Sequence, residues 1–253
     1  MDHANYVYRI LHRPASYARA LINGIPVYER APDRNVAPMQ PITHWLVTGE
    51  NSIVIELTEA PPSPLAPNMT PHFAMMIMRA ENLDDPRFRW EYPDSIARLG
   101  LEPRLPWAHE GVFVPEGELP PPVFLDSPRE EFPIEGTPEQ HLAVAELYEA
   151  FATRDAARFE AAMDLKFSQF ERYYGPQPLS KHDAIQRMNA PWIMEPFDAQ
   201  DLRFERHADG RVAYVRRASG KPAVRATHRD EPYLGWGSDF YMTRQDGRWR
   251  IFW

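Results

Sequence analysis

Residues 137–155 read TPEQHLAVAELYEAFATRD, and this stretch marks the change from a strand-forming to a helix-forming sequence. Thr137 is a favoured helix cap, Pro138 suits the first helical position, and Gln140 completes a capping box three residues after the threonine. Apolar residues then recur with the period of an amphipathic helix. They are Leu142, Ala145, Tyr148 and Ala152, with Val144, Leu147 and Phe151 widening the apolar stripe. The stretch therefore predicts a helix at the start of the second half of the chain.

Downstream of this helix the sequence predicts further helices and then an antiparallel sheet. A second helical segment carries Phe159, and residues 180–189 predict a third helix. Segments with a period of two follow, and they turn at Asp209-Gly210 and at Asp246-Gly247. Helices followed by a strand meander are typical of an α+β fold.

Three segments of the second half match one superfamily: residues 148–155 at a helix joint, residues 180–188 as a third helix, and residues 246–251 at the last turn. On these segments the second half resembles the nuclear-transport-factor-like, cystatin-like superfamily. The resemblance implies an α+β cone over residues 137–253, with three helices packed on a curved antiparallel sheet. Some members hold small ligands in the mouth of the cone, and others form dimers through the open sheet, so a homodimer through the C-terminal sheet is one implied assembly. Residues 165–174 depart from the family, because they have helical spacing where it commonly has a strand.

Upstream of the helix, residues 6–57 carry the period of two that is typical of half-buried strands. Asn23-Gly24 lies between alternating apolar residues and predicts a tight hairpin, because both turn residues need positive φ. Residues 53–57 place three apolar side chains on one face and Glu56 on the other, and residues 73–78 are apolar on both faces, as in a central strand. These patterns predict an all-β sandwich domain.

The proline and charge counts divide the chain at the same place. Residues 1–135 hold 20 of the 27 prolines, and they carry 19 Asp and Glu against 11 Arg and no Lys. Residues 136–253 carry 17 acidic and 17 basic side chains, so the net charge of −8 belongs to the first half. Residues 127–136 are polar and contain proline, which predicts a linker between a domain at 1–126 and one at 137–253. An acidic half beside a neutral half excludes a uniform basic surface for nucleic acid or for an anionic membrane.

A second resemblance rests on two turns of the first half. Ile22-Asn23-Gly24, followed by Thr48-Gly49-Glu50-Asn51 and a strand, resembles the signature of galactose-binding-like β-sandwiches, such as the accessory domains of large glycosidases. The resemblance covers roughly residues 6–58 and implies carbohydrate binding as one alternative function. The same residues also suit the turns themselves, and many such sandwiches bind no sugar.

Several classes of function lack their motifs in this sequence. The chain has no cysteine, which excludes disulfides, thiolate nucleophiles and thiolate metal sites. Its nine histidines include no pair at the spacing of common zinc sites. It has no Gly-rich phosphate loop, no Gly-x-Ser-x-Gly elbow and no apolar run near the ~20 residues that span a bilayer. We therefore expect no metal, no cofactor, no nucleic-acid partner and no membrane span.

Arginine outnumbers lysine 25 to 3, which is typical of a protein from a GC-rich bacterial genome. Residues 1–5 lack the basic start and apolar core of a signal peptide, so the chain as given predicts a cytoplasmic protein. A removed export signal would place the protein in the periplasm instead, and the compartment stays open.

Aromatic and acidic residues in the proline-rich part of the first half form the first candidate site. The aromatic residues are Trp90, Tyr92 and Trp107, and the acidic residues are Glu91, Asp94, Glu102 and Glu110. Loops on a rigid sandwich are a usual place for recognition, aromatic residues supply contact area, and acidic groups steer association. The set predicts a surface for a basic protein partner; the alternative is that the aromatic rings plug the ends of the sandwich.

The second candidate site follows from the cone resemblance. Alternation places Trp249, Ile251 and Trp253 on the face of the last strand that would line the interior. The predicted cavity residues are Tyr148, Tyr214, Trp236 and Trp249. Superfamily enzymes use an aspartate or histidine base beside a tyrosine donor, so the resemblance implies Asp239 or His228 with Tyr241 if the protein is an enzyme. The alternative is that these polar residues face solvent or bond to loop backbone.

Three functions remain after these exclusions. The first is a non-enzymatic bacterial protein-binding protein, such as an immunity-type inhibitor of a secreted toxin, because the chain is acidic, lacks cysteine and has few motifs. The second is an isomerase-like or SnoaL-like enzyme, or a small-ligand carrier, that uses the C-terminal cone. The third is a carbohydrate-binding accessory protein that uses the N-terminal sandwich.

Overall fold

A computed structural model describes residues 5–30, 32, 36–60, 71–80, 89–90, 104–175, 192–231 and 235–253, with residues 80, 89, 90 and 236 described by their backbone alone. The contacts of the chain divide it into two compact units, residues 1–122 and residues 123–253. The described part of the first unit is built from strands and one short 3₁₀ helix at Thr43–Trp45, and that of the second unit combines helices with strands.

Two four-stranded antiparallel sheets form the described part of the first unit. The strands are β1 Asn5–His12, β2 Ser16–Ile22, β3 Ile25–Arg30, β4 Met39–Pro41, β5 Asn51–Glu59, β6 Phe73–Ala80, β7 Arg89–Trp90 and β8 Trp107–Phe113. One sheet has the order β4-β1-β6-β7, and the other has the order β3-β2-β5-β8. Because β6 pairs with β1 on one side and β7 on the other, the central strand predicted over residues 73–78 is confirmed.

Buried aromatic side chains join the two sheets. The ring of Tyr6 on β1 lies 5.3 Å from that of Phe113 on β8. The ring of Tyr28 on β3 lies 5.7 Å from His12 on β1 and 6.0 Å from Phe73 on β6. Aromatic pairs of this kind bury a large apolar area, so they form much of the core between the sheets.

The turn residues that carry the galactose-binding-like resemblance form one hydrogen-bonded network. Asn23 and Gly24 have φ values of 52° and 74°, which confirms the predicted tight hairpin between β2 and β3. The fully buried Asn51 side chain accepts from the Val47 N–H at 2.7 Å and donates to the Val47 and Gly49 carbonyls at 2.9 and 3.0 Å. Asn23 Nδ2 donates to Asn51 Oδ1 at 2.8 Å. These asparagines therefore hold two turns together.

Three α-helices lie in the described part of the second unit: α1 Pro138–Thr153, α2 Ala156–Ala162 and α3 Asp164–Tyr174. At the start of α1, Thr137 Oγ1 accepts from the Gln140 N–H at 3.3 Å, and the Thr137 N–H donates to Gln140 Oε1 at 2.7 Å, which confirms the predicted capping box. Asp155 caps α2 through its carboxylate. The helix predicted at residues 180–189 lies outside the described residues.

The buried face of α1 matches the predicted stripe only in part, because it includes Val144 and Leu147 but not Leu142. Val144, Leu147 and Ala150 are fully buried, whereas Leu142 is 59% exposed. Residues 142 and 144 point about 200° apart around a helix. The apolar residues that share a side with Leu142 and those that share a side with Val144 both have helical spacing, but only the second group faces the core. The direction of that core is set by the strands that α1 packs against, and those strands lie far away in the sequence.

Seven strands form two antiparallel sheets in the described part of the second unit. They are β9 Trp192–Met194, β10 Leu202–His207, β11 Val212–Arg217, β12 Val224–His228, β13 Gly235–Ser238, β14 Phe240–Gln245 and β15 Arg248–Ile251. One sheet has the order β10-β11-β14-β15, and the other has the order β13-β12-β9. Phe204, Val215, Phe240 and Met242 pack with α1 and α2 to form the apolar core of this unit.

The segment predicted as a linker contacts the second unit along its length. Ser127 is buried, and its hydroxyl lies 2.6 Å from Thr243 Oγ1. Glu130 forms an ion pair with Arg244. Phe132 is also buried, and its ring lies 5.1 Å from that of Trp249. Residues 127–136 therefore make side-chain contacts with strands of the second unit.

The all-β first unit and the α+β second unit agree with the fold classes predicted for the two halves. The finer assignments, a sandwich, a cone and a division at residues 126 and 137, stay predictions.

Candidate functional site

The predicted partner surface of the first unit is only partly described. Glu91, Tyr92, Asp94 and Glu102 lie outside the described residues. Trp90 lies on β7, and only its backbone is described. Trp107 and Glu110 are therefore the two members whose side chains can be located, and both lie on β8.

Trp107 and Glu110 lie on opposite faces of β8, because they are three residues apart in a strand. Trp107 pairs with the buried Leu57, and its ring stacks on that of His109 at 5.8 Å. Trp107 thus lies on the core-facing side of the sheet, whereas Glu110 is exposed on the other side. The structure does not bring these two residues together in one patch.

Glu110 instead lies on the outer face of the sheet β3-β2-β5-β8, beside residues of β5. It pairs with Val54, and Glu56 pairs with Ala108 on the same face. Glu56 and Glu110 are exposed, and Val112 on this face is 47% exposed. We call these five residues, Val54, Glu56, Ala108, Glu110 and Val112, the acidic sheet face. The sequence signal for it was the alternation over residues 53–57, which already placed Glu56 opposite the core.

A basic residue beside the acidic sheet face, Arg19, is paired with a carboxylate outside that face. Arg19 on β2 lies opposite Glu56, and its Nε is 3.5 Å from Glu29 Oε2 on β3. Neither Glu56 nor Glu110 forms an ion pair with any residue that the structure describes. The face therefore presents two exposed carboxylates next to half-exposed apolar side chains.

In the second unit the structure brings together two of the residues predicted for an enzyme, Asp239 and Tyr241, with Tyr214 of the predicted cavity set. Tyr214 and Tyr241 pair across β11 and β14, and their rings stack at 4.9 Å with an interplanar angle of 26°. Tyr214 donates its hydroxyl hydrogen to Asp239 Oδ2 at 3.0 Å. Asp239 therefore lies within reach of a tyrosine donor, but that donor is already bonded to its carboxylate.

An ion-paired carboxylate lies beside this tyrosine pair. Glu205 pairs with Tyr214 across β10 and β11 and forms a salt bridge with Arg216. The nearby His207, whose Nε2 lies 3.8 Å from Glu205 Oε2, and the interaction with Arg216 lower the pKa of Glu205 to about 2. Glu205 thus stays ionised at any pH near neutrality. The sequence analysis missed Glu205, His207 and Arg216, although the alternation of the β10–β11 hairpin places Glu205 and His207 on one face.

The other predicted site residues lie apart from this group. His228 lies on β12 in the second sheet, where its ring packs edge-on against Trp192 at 5.3 Å. Trp249 is buried against Phe132, and the strand register places it on the face opposite Tyr214. Tyr214 and Trp249 therefore cannot line the same cavity on this sheet.

The two remaining predicted cavity residues are placed as follows. Tyr148 on α1 is half-buried and stacks on Phe197 at 5.0 Å. Trp236 lies on β13, and its side chain is outside the described structure. Tyr148 packs against the apolar core cluster, so its ring has a packing role there.

Two further findings apply to the part of the chain that the structure describes. It contains no helix long and apolar enough to cross a membrane. It also contains no group of three or more histidine, aspartate or glutamate side chains arranged to hold a metal ion.

Comparison with protein-family models, with curated proteins and with solved structures finds no match to this chain. The two resemblances therefore rest on their sequence motifs alone. The acidic sheet face and the tyrosine pair are the two features of the described residues that bear on function.

A buried histidine joins the two sheets of the first unit. His12 is 1% exposed, its Nδ1 lies 2.8 Å from the Tyr28 hydroxyl, and its Nε2 lies 3.0 Å from Ser16 Oγ. Burial lowers the pKa of His12 to about 4, and the nearby Arg30 and His72 also oppose its protonation. The imidazole is therefore neutral in the folded protein down to acidic pH.

We expect this histidine to make the first unit less stable in acid. The unfolded chain takes up a proton near pH 6.5, whereas the folded protein does so only near pH 4, so stability falls as the pH drops through this range. The loss should reach about 2–3 kcal/mol of unfolding free energy at pH 4. Urea unfolding of wild type and His12→Gln, each at both ends of this range, measures the difference. An NMR titration in which His12 protonates at the ordinary histidine pKa would contradict the expectation.

Proposed function

We propose that the protein is a non-enzymatic protein-binding protein whose first unit binds a basic protein partner. The observation that supports this most directly is the acidic sheet face, where exposed Glu56 and Glu110 flank Val54 and Val112. The partner is basic, as the charge of the first half predicts, but its contact lies on the acidic sheet face and not on the proline-rich loops.

The composition of this face suits a protein more than a small ligand. Apolar side chains at the centre of an interface supply contact area, and charges around them steer association and reject partners of the same sign. The described residues of the acidic sheet face form the outer face of a sheet with exposed side chains, whereas small-ligand sites are concave. A partner with lysine or arginine around an apolar patch has the complementary chemistry.

Within this class we propose an immunity-type inhibitor of a secreted toxin, with an adaptor as the other member of the class. An inhibitor needs a high association rate, and opposite charges on the two partners raise that rate. The acidic first half and the lack of catalytic motifs support this choice.

The proposed partner is the product of an adjacent gene, and charge reversal tests its binding site. We expect the Glu56→Lys/Glu110→Lys double variant to bind that product at least about tenfold more weakly, mainly through slower association at low salt. Surface plasmon resonance at two salt concentrations measures both rates. The matched control is Glu146→Lys/Glu171→Lys, which makes the same charge change at two exposed positions of the second unit.

Each outcome of this experiment is informative. A loss confined to the first double variant supports the acidic sheet face as the binding site. An equal loss in both double variants means that net charge alone acts, and it overturns the assignment to this face. If the adjacent product does not bind wild type, the immunity-type proposal fails.

A cone-based enzyme or ligand carrier is the second candidate, and the Tyr214–Asp239 hydrogen bond is the observation that favours it. A general base and a proton donor must both reach the substrate. Here the Tyr214 hydroxyl and the Asp239 carboxylate are hydrogen-bonded to each other instead. We therefore place this function second. Its test is hydrogen–deuterium exchange next to the carbonyl of a ketone substrate, which Asp239→Asn should abolish while Glu171→Gln leaves it unchanged.

Carbohydrate binding has less support than either. The Asn23 and Asn51 side chains that carry the galactose-binding-like resemblance bond to each other and to turn backbone. Those amide groups are used within the protein, so a sugar would have to be recognised by other residues.

A further inference from the structure

One face of α3 carries a lysine and two aromatic residues that gather around a tryptophan. Lys166, Phe170 and Tyr174 are spaced four residues apart, which places them along one side of the helix. The ring of Trp253 lies 6.0 Å from Phe170, nearly parallel to it, and 6.4 Å from Tyr174. Lys166 Nζ lies 5.1 Å from the centre of the same tryptophan ring. The amine therefore sits at the end of an aromatic stack.

The amine of Lys166 has an aromatic neighbour in place of a carboxylate. No ion pair or hydrogen bond joins Lys166 to a residue in the described ranges, and its side chain is half-buried. The nearest acidic residue in sequence, Asp164, is bonded to Arg250 at 2.8 Å. On the same helix Glu171 and Arg172 are exposed, and Arg172 lies over the ring of Tyr173. Lysine is almost never buried without a partner of opposite charge, so a half-buried lysine against an aromatic ring is in an unusual environment.

Burial changes the protonation of this amine. It lowers the pKa of Lys166 to about 8, because the ammonium form loses water that the aromatic rings replace only in part. At pH 7 about 10% of the amine is then neutral, compared with about 0.03% for an ordinary lysine. The neutral amine is the nucleophile, and lysines desolvated in apolar pockets are the ones that enzymes use to form imines.

We propose that Lys166 is a covalent binding site for apolar or aromatic aldehydes, with the ring of Trp253 packing against the apolar group of the aldehyde. The site belongs to the second unit, so it does not depend on the proposed binding of a basic protein to the first. It gives this unit a ligand of its own.

The reaction is a reversible condensation that needs no further reagent. The nitrogen lone pair of neutral Lys166 attacks the carbonyl carbon, and the carbonyl oxygen takes up a proton to give a carbinolamine. The carbinolamine then loses its oxygen as water, which carries away both hydrogens of the original amine. The product is an imine between Nζ and the aldehyde carbon, and hydrolysis returns the aldehyde unchanged.

The experiment uses benzaldehyde as the probe, and it traps the imine on the full-length protein with sodium cyanoborohydride at neutral pH. Peptide mass spectrometry then compares the occupancy of Lys166 with that of Lys221, which is exposed. Because a less basic amine is also a weaker nucleophile, we expect an advantage of about tenfold for Lys166 rather than the full ratio of neutral fractions. Equal labelling of the two lysines would overturn the proposal.

Two variants separate the aromatic environment from general reactivity. Trp253→Ala should bring labelling of Lys166 down to the level of Lys221, because water regains access to the ammonium group. Lys221→Arg should leave labelling of Lys166 unchanged. Acetaldehyde tests the chemical class: wild type should prefer benzaldehyde, and Trp253→Ala should lose this preference. If Trp253→Ala keeps its circular dichroism spectrum and still labels like wild type, the tryptophan has no role and the site as proposed is wrong.

Discussion

Replacing Gly210 with alanine should lower the free energy of unfolding of the second unit by about 4 kcal/mol, which is among the larger effects of single substitutions. Gly210 has a φ of +81°, and a Cβ added there would lie 2.1 Å from the backbone oxygen of Glu130. That oxygen cannot move away alone, since the Glu130 N–H donates to the Gly210 carbonyl and its side chain is paired with Arg244. The left-handed backbone and the clash therefore act together.

Gly247 provides the matched control for this substitution. It has a φ of +76°, and a Cβ there would meet nothing within 4 Å. Gly247→Ala should therefore cost only the left-handed backbone strain, about 1 kcal/mol. Urea unfolding of both variants, followed by tryptophan fluorescence, measures the difference. Equal losses would mean that the segment around Glu130 yields to the new methyl group, and the packing of that segment would have to be reconsidered.

Replacing Asn51 with alanine should destabilise the first unit by about 3–4 kcal/mol. The side chain is fully buried, and it bonds to Val47, Gly49, Asn23 and the carbonyl of Phe113 at 3.3 Å. Its loss leaves several buried backbone groups without partners, and each such group costs about 1–3 kcal/mol before water enters. The cost is therefore larger than that of a single hydrogen bond.

Two further substitutions test whether this loss of stability comes from the Asn51 hydrogen bonds. Glu50→Ala changes the exposed neighbour in the same turn and should alter stability by less than about 0.5 kcal/mol. Asn51→Asp keeps the acceptor for Val47 but removes the donor, so its loss should be intermediate near neutral pH. Thermal unfolding by circular dichroism measures all three variants. If Asn51→Ala is as mild as Glu50→Ala, the network does not hold the turns.

Features that depend on near neighbours were predictable from the sequence. The Asn23-Gly24 hairpin needs two residues that accept positive φ, and the Thr137 capping box needs a partner three residues away. Both signals are complete within a few residues of sequence. The outward position of Glu56 followed in the same way from the alternation of a single strand.

Features that depend on distant contacts were not predictable. The buried side of α1 is chosen by strands more than fifty residues downstream, so Leu142 could not be told from Val144 by spacing. Trp107 and Glu110 were grouped because they are near in sequence, although a strand sends them to opposite faces. The site at Lys166 depends on Trp253, whose position beside α3 no local pattern specifies.

The packing of residues 123–136 determines where a recombinant fragment of the second unit has to begin. A fragment that begins at residue 137 keeps every α-helix and strand described for the second unit, yet it loses the ring of Phe132 that covers Trp249 and the hydroxyl of Ser127 that bonds Thr243. Such a fragment would expose part of its own core to water and tend to aggregate. Recombinant work on this half should therefore start at residue 123, and spectra from shorter pieces would report an incomplete domain.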